Sequence, residues 1–193
     1  MNNKFLKYLT KSSDIINKLL LDKKRVIIAI DGMSGSGKTT FADELSKSFP
    51  LTVVHMDDFF LRPEQRTMER LDTPGGNVDI ERFLEEVMLP LSQGKEFLYK
   101  PFNCHNRKFK EAKLITPERL VIIEGSYSCH PELFDFCDLH IFLYTDEFTQ
   151  CNRILNRNGF EQAKAFTQVW VPLEDKYFEV FDVKNKCELS FKT

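Results

Sequence analysis

The 193-residue sequence predicts a single α/β domain built around a parallel sheet, and three observations support this prediction. First, four short apolar runs rich in β-branched residues are typical of buried parallel strands, at 26–30, 51–55, 120–123 and 139–144. Second, a glycine-rich turn and a helical segment separate the first two runs, which gives the order strand, turn, helix, strand. Third, no linker rich in Pro, Gly or Ser divides residues 1–193 into two domains.

The first 24 residues are predicted to form an N-terminal helical segment, because apolar residues recur at helical spacing between 4 and 21. These apolar positions are Phe5, Leu6, Leu9, Ile15, Ile16, Leu19 and Leu20. Ser12 or Ser13 is a candidate N-cap for the second part of this segment. After the first strand and its glycine-rich turn, a second helix is predicted over 39–48.

The segment 58–77 is polar and is predicted to be an irregular loop. Asp79 is then placed to cap a helix that Gly94 closes. The buried face of this helix is predicted to carry Ile80, Phe83, Leu84, Val87 and Leu91. Short strands and turns are expected over 97–116.

The last quarter of the chain reads as helical with one final strand. A helix that carries two arginines is predicted over 147–157, and a second helical pattern covers 161–181. Pro172 is expected to kink or divide the second helix, because proline removes a backbone donor and its ring clashes with the preceding turn. The final strand is predicted over 187–191.

Composition and charge argue against several classes of protein. The formal net charge of −2 disfavours a nucleic-acid-binding protein, since neutralising a phosphate backbone requires a concentrated basic face. The longest aliphatic run, 26–30, is too short to cross a bilayer, and the first residues lack the apolar core of a signal peptide. The five cysteines form no Cys-x-x-Cys pair, which favours reduced thiols. We therefore expect a cytoplasmic location, and the sequence leaves open whether the chain forms a homo-oligomer.

The strongest motif is Gly32-Met-Ser-Gly-Ser-Gly-Lys-Thr39, which matches G-x-x-x-x-G-K-[ST] between a predicted strand and a predicted helix. Glycines let successive N–H groups point at phosphate oxygens, and the helix N-terminus adds its positive dipole end. Lys38 supplies a charge for the β- and γ-phosphates, and the Thr39 hydroxyl can bind Mg²⁺. The alternative is a plain glycine-rich turn. The predicted ATP-binding residues are Gly32, Ser34, Gly35, Ser36, Gly37, Lys38, Thr39 and Thr40.

Carboxylates follow two of the predicted strands. Asp57 and Asp58 come directly after the second strand, and Glu124 ends the third. Because ligands bind outside the carboxyl ends of parallel strands, these acids are expected near the phosphate loop. One of the two aspartates could accept a proton from an attacking hydroxyl, and Glu124 could hold Mg²⁺ directly or through water. The alternative for each is a solvated acid that marks a strand end.

Arg153 and Arg157 lie four residues apart and therefore share one face of the helix that follows the fourth strand. That face could close over bound phosphates as a lid-like region, 146–160, and neutralise charge on the transferred phosphoryl group. The alternative is a solvated basic face.

At these residues the sequence resembles the uridine kinase family of P-loop kinases, which has nicotinamide riboside kinases and bacterial pantothenate kinases as relatives. The resemblance extends over 26–191. It rests on the phosphate loop, Met56-Asp-Asp-Phe-Phe60, Asn77-Val-Asp79, Glu124-Gly125 and the arginine helix after Tyr144-Thr-Asp146. The fold that it implies is a three-layer α/β/α sandwich with a five-stranded parallel sheet.

The resemblance also implies roles for individual residues around the acceptor. Asp57 would orient and deprotonate the acceptor hydroxyl, and Asp79 would hydrogen-bond the ribose hydroxyls. The wall around the base would be formed by Phe60 and the segment 99–105, which includes Tyr99 and His105.

By the same resemblance, Glu124 is the magnesium-linked acid and Arg153 and Arg157 are lid arginines. The lid departs from the family pattern, because Asn158-Gly159 follows Arg157 and Gln150 stands where an arginine is common. The phosphate loop does not depart from it.

Three functions are compatible with these observations. The first is a kinase that transfers the γ-phosphoryl group of ATP to a small-molecule primary hydroxyl, with the 5′-hydroxyl of a pyrimidine nucleoside as the first candidate. The second keeps the enzyme and changes the acceptor to pantothenate, nicotinamide riboside or another alcohol. The third is a nucleotide-dependent switch or assembly protein, although Asn185-Lys186-Cys187-Glu188 only partly matches the base-reading motif of GTPases.

Several other residues are predicted to be structural. Trp170, Tyr177, Phe178 and Phe181 stand at roughly helical spacing and are expected in the core. His55 is interpreted as the end of a strand.

Overall fold

A computed structural model of the chain describes residues 3–104 and 106–193. The strands within these residues are β1 (Val26–Gly32), β2 (Leu51–His55), β3 (Phe97–Tyr99), β4 (Phe102–Asn103), β5 (Lys108–Phe109), β6 (Lys113–Ile115), β7 (Leu120–Glu124), β8 (Leu139–Tyr144) and β9 (Leu189–Lys192). Five of them form one sheet in the order β2-β7-β1-β8-β9, and every neighbouring pair in it runs parallel. Two small antiparallel pairs, β3 with β6 and β4 with β5, lie outside this sheet.

The α-helices within the described residues are α1 (Asn3–Asp22), α2 (Lys38–Ser46), α3 (Met68–Asp72), α4 (Ile80–Phe83), α5 (Leu89–Ser92), α6 (Pro131–Phe134), α7 (Glu147–Asn158), α8 (Phe160–Ala165), α9 (Val171–Val180) and α10 (Val183–Lys186). Short 3₁₀ turns cover Met56–Phe59 and Pro63–Gln65. π-helical segments, Leu84–Met88 and Phe166–Trp170, join α4 to α5 and α8 to α9. Across the described part of the chain, each helix is too short or too polar to traverse a bilayer.

The side chains of β1 alternate between two cores, one on each face of the sheet. On one face, Ile28 packs with Ile16 of α1 and Phe41 of α2. On the other face, Ala29 belongs to a core that includes Phe83 of α4 and Tyr177 of α9. Burying both faces requires the continuous apolar strands seen in the sequence. The predicted three-layer α/β/α sandwich with a five-stranded parallel sheet is therefore confirmed.

Helix α1 runs unbroken through Ser12 and Ser13, so the prediction that one of them is an N-cap is wrong. Ser12 is fully buried against the rest of the domain, and Ile16 one turn later is buried as well. Packing of this apolar face against the sheet stabilises one continuous helix across the two serines.

Pro172 lies in the helical segment that follows α7, and the sequence only partly predicted its effect there. The backbone N–H of Val171 bonds to the carbonyl of Phe166, which widens the turn immediately before the proline. Because proline has no N–H and its ring crowds the preceding turn, a wide turn lets the chain remain helical on both sides. Pro172 is the second residue of α9, directly after this widened turn.

His130 lies where α6 meets the core. Its Nδ1 accepts a hydrogen bond from the Glu132 N–H at 3.3 Å, and its ring is parallel to that of Tyr177 with centroids 6.3 Å apart. Burial, together with the charge of Arg70, lowers the pKa of His130 to about 4.

Acidification is expected to destabilise the fold through His130. The unfolded chain takes up a proton on this imidazole near pH 6.5, whereas the folded chain does so only near pH 4. The free energy of unfolding should therefore fall between these two values as the pH is lowered, by about 3 kcal/mol at most. Urea denaturation between pH 4 and 7 measures this slope. A His130→Gln variant should show a shallower slope than the parent, and equal slopes would contradict the expectation.

Candidate active site

The phosphate loop, residues 32–39, connects the end of β1 to the start of α2. Gly32 approaches β8 so closely that an added Cβ would lie 1.9 Å from the Leu143 carbonyl oxygen. Only glycine fits there, which explains the first residue of the motif. The Lys38 ammonium folds back over the loop and donates to the carbonyls of Gly32 at 2.7 Å and Met33 at 3.1 Å. The lysine is thus held at the centre of the loop by the loop itself.

A buried carboxylate, Asp31, fixes the start of this loop. It accepts hydrogen bonds from the N–H groups of Gly32 at 2.6 Å, Cys129 at 2.8 Å and Tyr127 at 3.1 Å, and from the Tyr177 hydroxyl at 2.9 Å. These donors come from three elements: the phosphate loop, the loop after β7, and α9. Burial raises the pKa of Asp31 to about 6, while the hydrogen bonds and Lys38 oppose this rise.

Glu124 ends β7 beside the phosphate loop, as predicted from the strand pattern. The Thr39 hydroxyl lies 3.1 and 3.2 Å from its two carboxylate oxygens. His55, which ends β2, places Nδ1 2.6 Å from the same carboxylate, and this hydrogen bond raises the pKa of the imidazole. The interpretation of His55 as only a strand end was therefore incomplete.

The oxygen donors of Thr39 and Glu124 are of the type that Mg²⁺ requires. Magnesium takes one or two protein oxygens and completes its shell with water and substrate phosphates. Within residues 3–104 and 106–193, no three His, Cys, Asp or Glu side chains cluster so as to hold a metal by themselves. The donor set therefore fits a magnesium ion that arrives with a nucleotide.

Asp57 and Asp58 follow β2 but serve different purposes. The Asp58 carboxylate accepts a hydrogen bond from the Tyr99 hydroxyl. The Asp57 carboxylate faces the cleft, where water reaches it although protein atoms surround it on most sides. Burial raises the pKa of Asp57. The negative charge of Glu124 raises it further, whereas the positive charge of Lys38 lowers it. Asp57 is therefore the aspartate of the pair that lines the cleft.

Both predicted lid arginines lie on the face of α7 that borders the cleft. Arg153 Nη1 donates to the Gly35 carbonyl of the phosphate loop at 3.0 Å and lies 3.2 Å from the Thr193 hydroxyl. The Arg157 guanidinium lies over the Phe166 ring, 5.3 Å from its centroid. Both arginines therefore line the cleft that contains the phosphate loop, and Arg153 contacts that loop directly.

These elements enclose a cleft of about 1280 Å³. The predicted site residues that line it are residues 34–40, Asp57, Phe60, Glu124, Arg153 and Arg157. Gly32 lies behind this lining, where its carbonyl holds Lys38. The structure thus brings together the phosphate loop, one carboxylate at each of two strand ends, and the arginine helix.

Two predicted substrate-binding residues, Tyr99 and Asp79, do not line the cleft. The Tyr99 hydroxyl is engaged with the second aspartate of the pair, and its ring packs against Phe59 with centroids 5.8 Å apart. Asp79 is buried and caps α4, because its carboxylate accepts from the Arg82 N–H at 3.3 Å and from the Gln65 amide at 2.9 Å. His105 lies outside the described residues.

Glu174 of α9 was not singled out by the sequence, yet it contacts the phosphate loop directly. Its carboxylate accepts from the Ser34 N–H at 2.9 Å, the Ser34 hydroxyl at 2.6 Å and the Ser126 hydroxyl at 2.9 Å. The side chain is buried, and burial raises the pKa of the carboxyl. One acidic residue inside an ordinary helical pattern gave no signal of this contact, since its partner lies 140 positions away.

Trp170 was predicted to be a core residue, and this prediction is wrong. Its ring is partly exposed and lines the cleft next to Phe60, with ring centroids 6.5 Å apart. Tyr177 is fully buried, as expected. The two residues share a helical face, but seven residues of helix separate them by about 10 Å along the axis. The same face therefore borders the cleft at Trp170 and covers the core at Tyr177.

Comparison with known proteins relates this chain to one family of kinases. The model of the phosphoribulokinase / uridine kinase family matches residues 27–170. A uridine kinase from Alkaliphilus metalliredigens is 32% identical over 156 residues, which cover 75% of this chain and 73% of that protein. A uridine kinase from Brevibacillus brevis is 30% identical over 158 residues, which cover 75% of this chain and 71% of that protein.

The fold is also found among solved structures. The structure of a possible uridine kinase from Bacillus stearothermophilus superimposes with a TM-score of 0.67 and covers 95% of this chain and 98% of its own. Its sequence identity is 22%, so this similarity concerns the fold alone.

Removing the Lys38 charge is expected to raise the pKa of Asp57 further, since this cation is the main group that lowers it. A ¹³C NMR titration of the aspartate carboxyls in the Lys38→Met variant measures the shift. Lys47→Met provides the control, because Lys47 is an exposed lysine that pairs with Glu44. An unchanged Asp57 titration in Lys38→Met would show that the two groups do not interact.

Proposed function

We propose, from the premise that this chain belongs to the phosphoribulokinase/uridine kinase family, that it is an ATP-dependent small-molecule kinase. It transfers the γ-phosphoryl group to a primary hydroxyl, and our first candidate is the 5′-hydroxyl of a nucleoside such as uridine or cytidine. The observation that carries the proposal is the position of Asp57, whose carboxylate shares the cleft with the phosphate loop and whose pKa responds to Lys38.

The phosphate loop and the N-terminus of α2 bind the phosphates through backbone N–H groups and the helix dipole. Lys38 neutralises charge on the β- and γ-phosphates, and Arg153 and Arg157 approach from the α7 side. Phosphoryl transfer requires little covalent chemistry from the protein, so positioning and charge neutralisation supply most of the rate enhancement.

Asp57 acts as the general base that accepts the proton of the acceptor hydroxyl. Burial raises the pKa of Asp57, which makes its carboxylate a better proton acceptor than an ordinary aspartate. Tyr99 supports this role indirectly, because it holds the neighbouring Asp58 away from the reaction.

Thr39 and Glu124 are the residues that would hold Mg²⁺. The ion, when bound with ATP, would neutralise charge on the β- and γ-phosphate oxygens. The hydrogen bond from His55 orients the Glu124 carboxylate toward Thr39.

The acceptor end of the cleft favours a substrate with a planar ring. Phe60 and Trp170 together provide an aromatic wall, and the Arg66 guanidinium lies 6.0 Å from the Trp170 ring centroid. Asn77 borders the same end with an amide that can both donate and accept. Aromatic walls with a few polar groups are typical of sites that bind nucleoside-like molecules. Nicotinamide riboside and pantothenate are the alternative acceptors.

Asp57→Asn is expected to lower acceptor-dependent ADP release by roughly 10²- to 10⁴-fold, because the variant lacks the general base. The assay uses a panel of uridine, cytidine, nicotinamide riboside and pantothenate with Mg-ATP. Calorimetry should show that Mg-ATP binding is retained, since the phosphate loop and Lys38 are unchanged in this variant.

Asp58→Asn is the matched control, because it changes the adjacent carboxylate, which already accepts a hydrogen bond from the Tyr99 hydroxyl. It should retain most of the activity. Acceptor-dependent turnover by Asp57→Asn at the parent rate would refute the assignment of the base. ATP hydrolysis that no member of the panel accelerates would instead favour a nucleotide-dependent switch.

A further inference from the structure

The cleft extends beyond the phosphate loop on the side away from Asp57, and there α1 forms its wall. Lys4, Phe5 and Tyr8 of α1 line this part of the cleft, together with Lys192 and Thr193. All of these residues lie outside the segment 27–170 that matches the family. We infer that α1 provides one wall of the pocket for the base and ribose of the donor nucleotide, an inference that rests on the proposed function.

The direction of a bound nucleotide leads to this assignment. The γ-phosphate must face Asp57, because the attacking hydroxyl is activated there. The remaining phosphates then run along the loop toward the first turn of α2, and the nucleoside leaves the loop beyond that turn. Phe5 lies at this point, since its ring meets the edge of Phe41 in α2 with centroids 5.5 Å apart.

The C-terminal strand closes the same part of the cleft. The Thr193 hydroxyl donates to the Ser36 carbonyl of the phosphate loop at 2.8 Å. The Tyr8 ring stacks on Phe191 of β9 with centroids 4.2 Å apart and planes inclined by 14°, and its hydroxyl donates to the Lys192 carbonyl at 3.2 Å. Tyr8 is thus held in one orientation next to the phosphate loop before any ligand binds.

The chemistry of this wall suits a nucleoside rather than a bare phosphate. Phe5 and Tyr8 are only partly buried, so each keeps aromatic surface directed at the cleft. Aromatic side chains can stack on any base, because every base has a π-face. Lys192 and Arg153 border the wall with positive charge, which favours the adjacent α-phosphate. The middle of α1 has a separate task, because Ile16 is fully buried in the core.

Calorimetry with two ligands tests the inference. Mg-ATP carries a base and a ribose, whereas Mg-tripolyphosphate presents only phosphates to the same loop. In a Phe5→Leu/Tyr8→Leu double variant, the dissociation constant of Mg-ATP should rise about tenfold or more, in line with the loss of base–aromatic contact. The dissociation constant of Mg-tripolyphosphate should remain at the parent value.

Two further variants sharpen the result. Leu6→Ala changes an exposed residue of α1 that does not line the cleft, and it should alter neither affinity. Tyr8→Phe keeps the ring and should retain most of the affinity for Mg-ATP. Thermal unfolding of each variant verifies that it is folded, and tripolyphosphate binding verifies that its phosphate loop is intact.

Unchanged Mg-ATP affinity in the double variant would overturn the inference. Equal weakening of both ligands would also overturn it, because α1 would then support the loop and not the nucleoside. If the parent protein binds neither ligand, or if Lys38→Ala leaves both affinities unchanged, the proposed kinase function itself fails. These outcomes separate the failure of the α1 wall from the failure of the kinase proposal.

Discussion

The hydrogen bonds of one buried carboxylate hold the site together. Asp31 is fully buried and accepts from the phosphate loop, from the loop after β7 and from α9. A carboxylate that loses water must receive such donors, and the same donors would otherwise be unsatisfied in the interior. The three elements that shape the cleft are therefore fixed relative to one another at a single point below the phosphate loop.

Above that point, α9 reaches the loop a second time through Glu174. Its carboxylate spans Ser34 and Ser126, so the helix that directly follows Trp170 also contacts the phosphate loop. The arginine helix α7 approaches the same loop through the Gly35 carbonyl. The segment from α7 to α9 thus contacts the phosphate loop twice, through Arg153 of α7 and through Glu174 of α9.

Local patterns in the sequence were sufficient to predict the sheet, the phosphate loop and the carboxylates at the strand ends. Each of these follows from residues close together in the chain: β-branched runs, a glycine motif, and an acid directly after a strand. Asp31, His55 and Glu174 could not be found in this way, because they act on partners 146, 69 and 140 positions away. For Asp79 and Tyr99 the family resemblance implied contacts with the substrate, whereas in the structure Asp79 caps α4, the Tyr99 hydroxyl bonds Asp58, and neither residue lines the cleft.

The contact between Tyr8 and the Lys192 carbonyl joins residues 184 positions apart. Chain-closure entropy makes so distant a pairing costly until the intervening sheet has brought the two segments together. Assembly order follows from this topology: the β1–β7–β2 portion can condense from nearer neighbours, whereas α1 and β9 meet only on a sheet that already exists. The amide protons of α1 and β9 should accordingly be less protected from hydrogen exchange than those of the central strands.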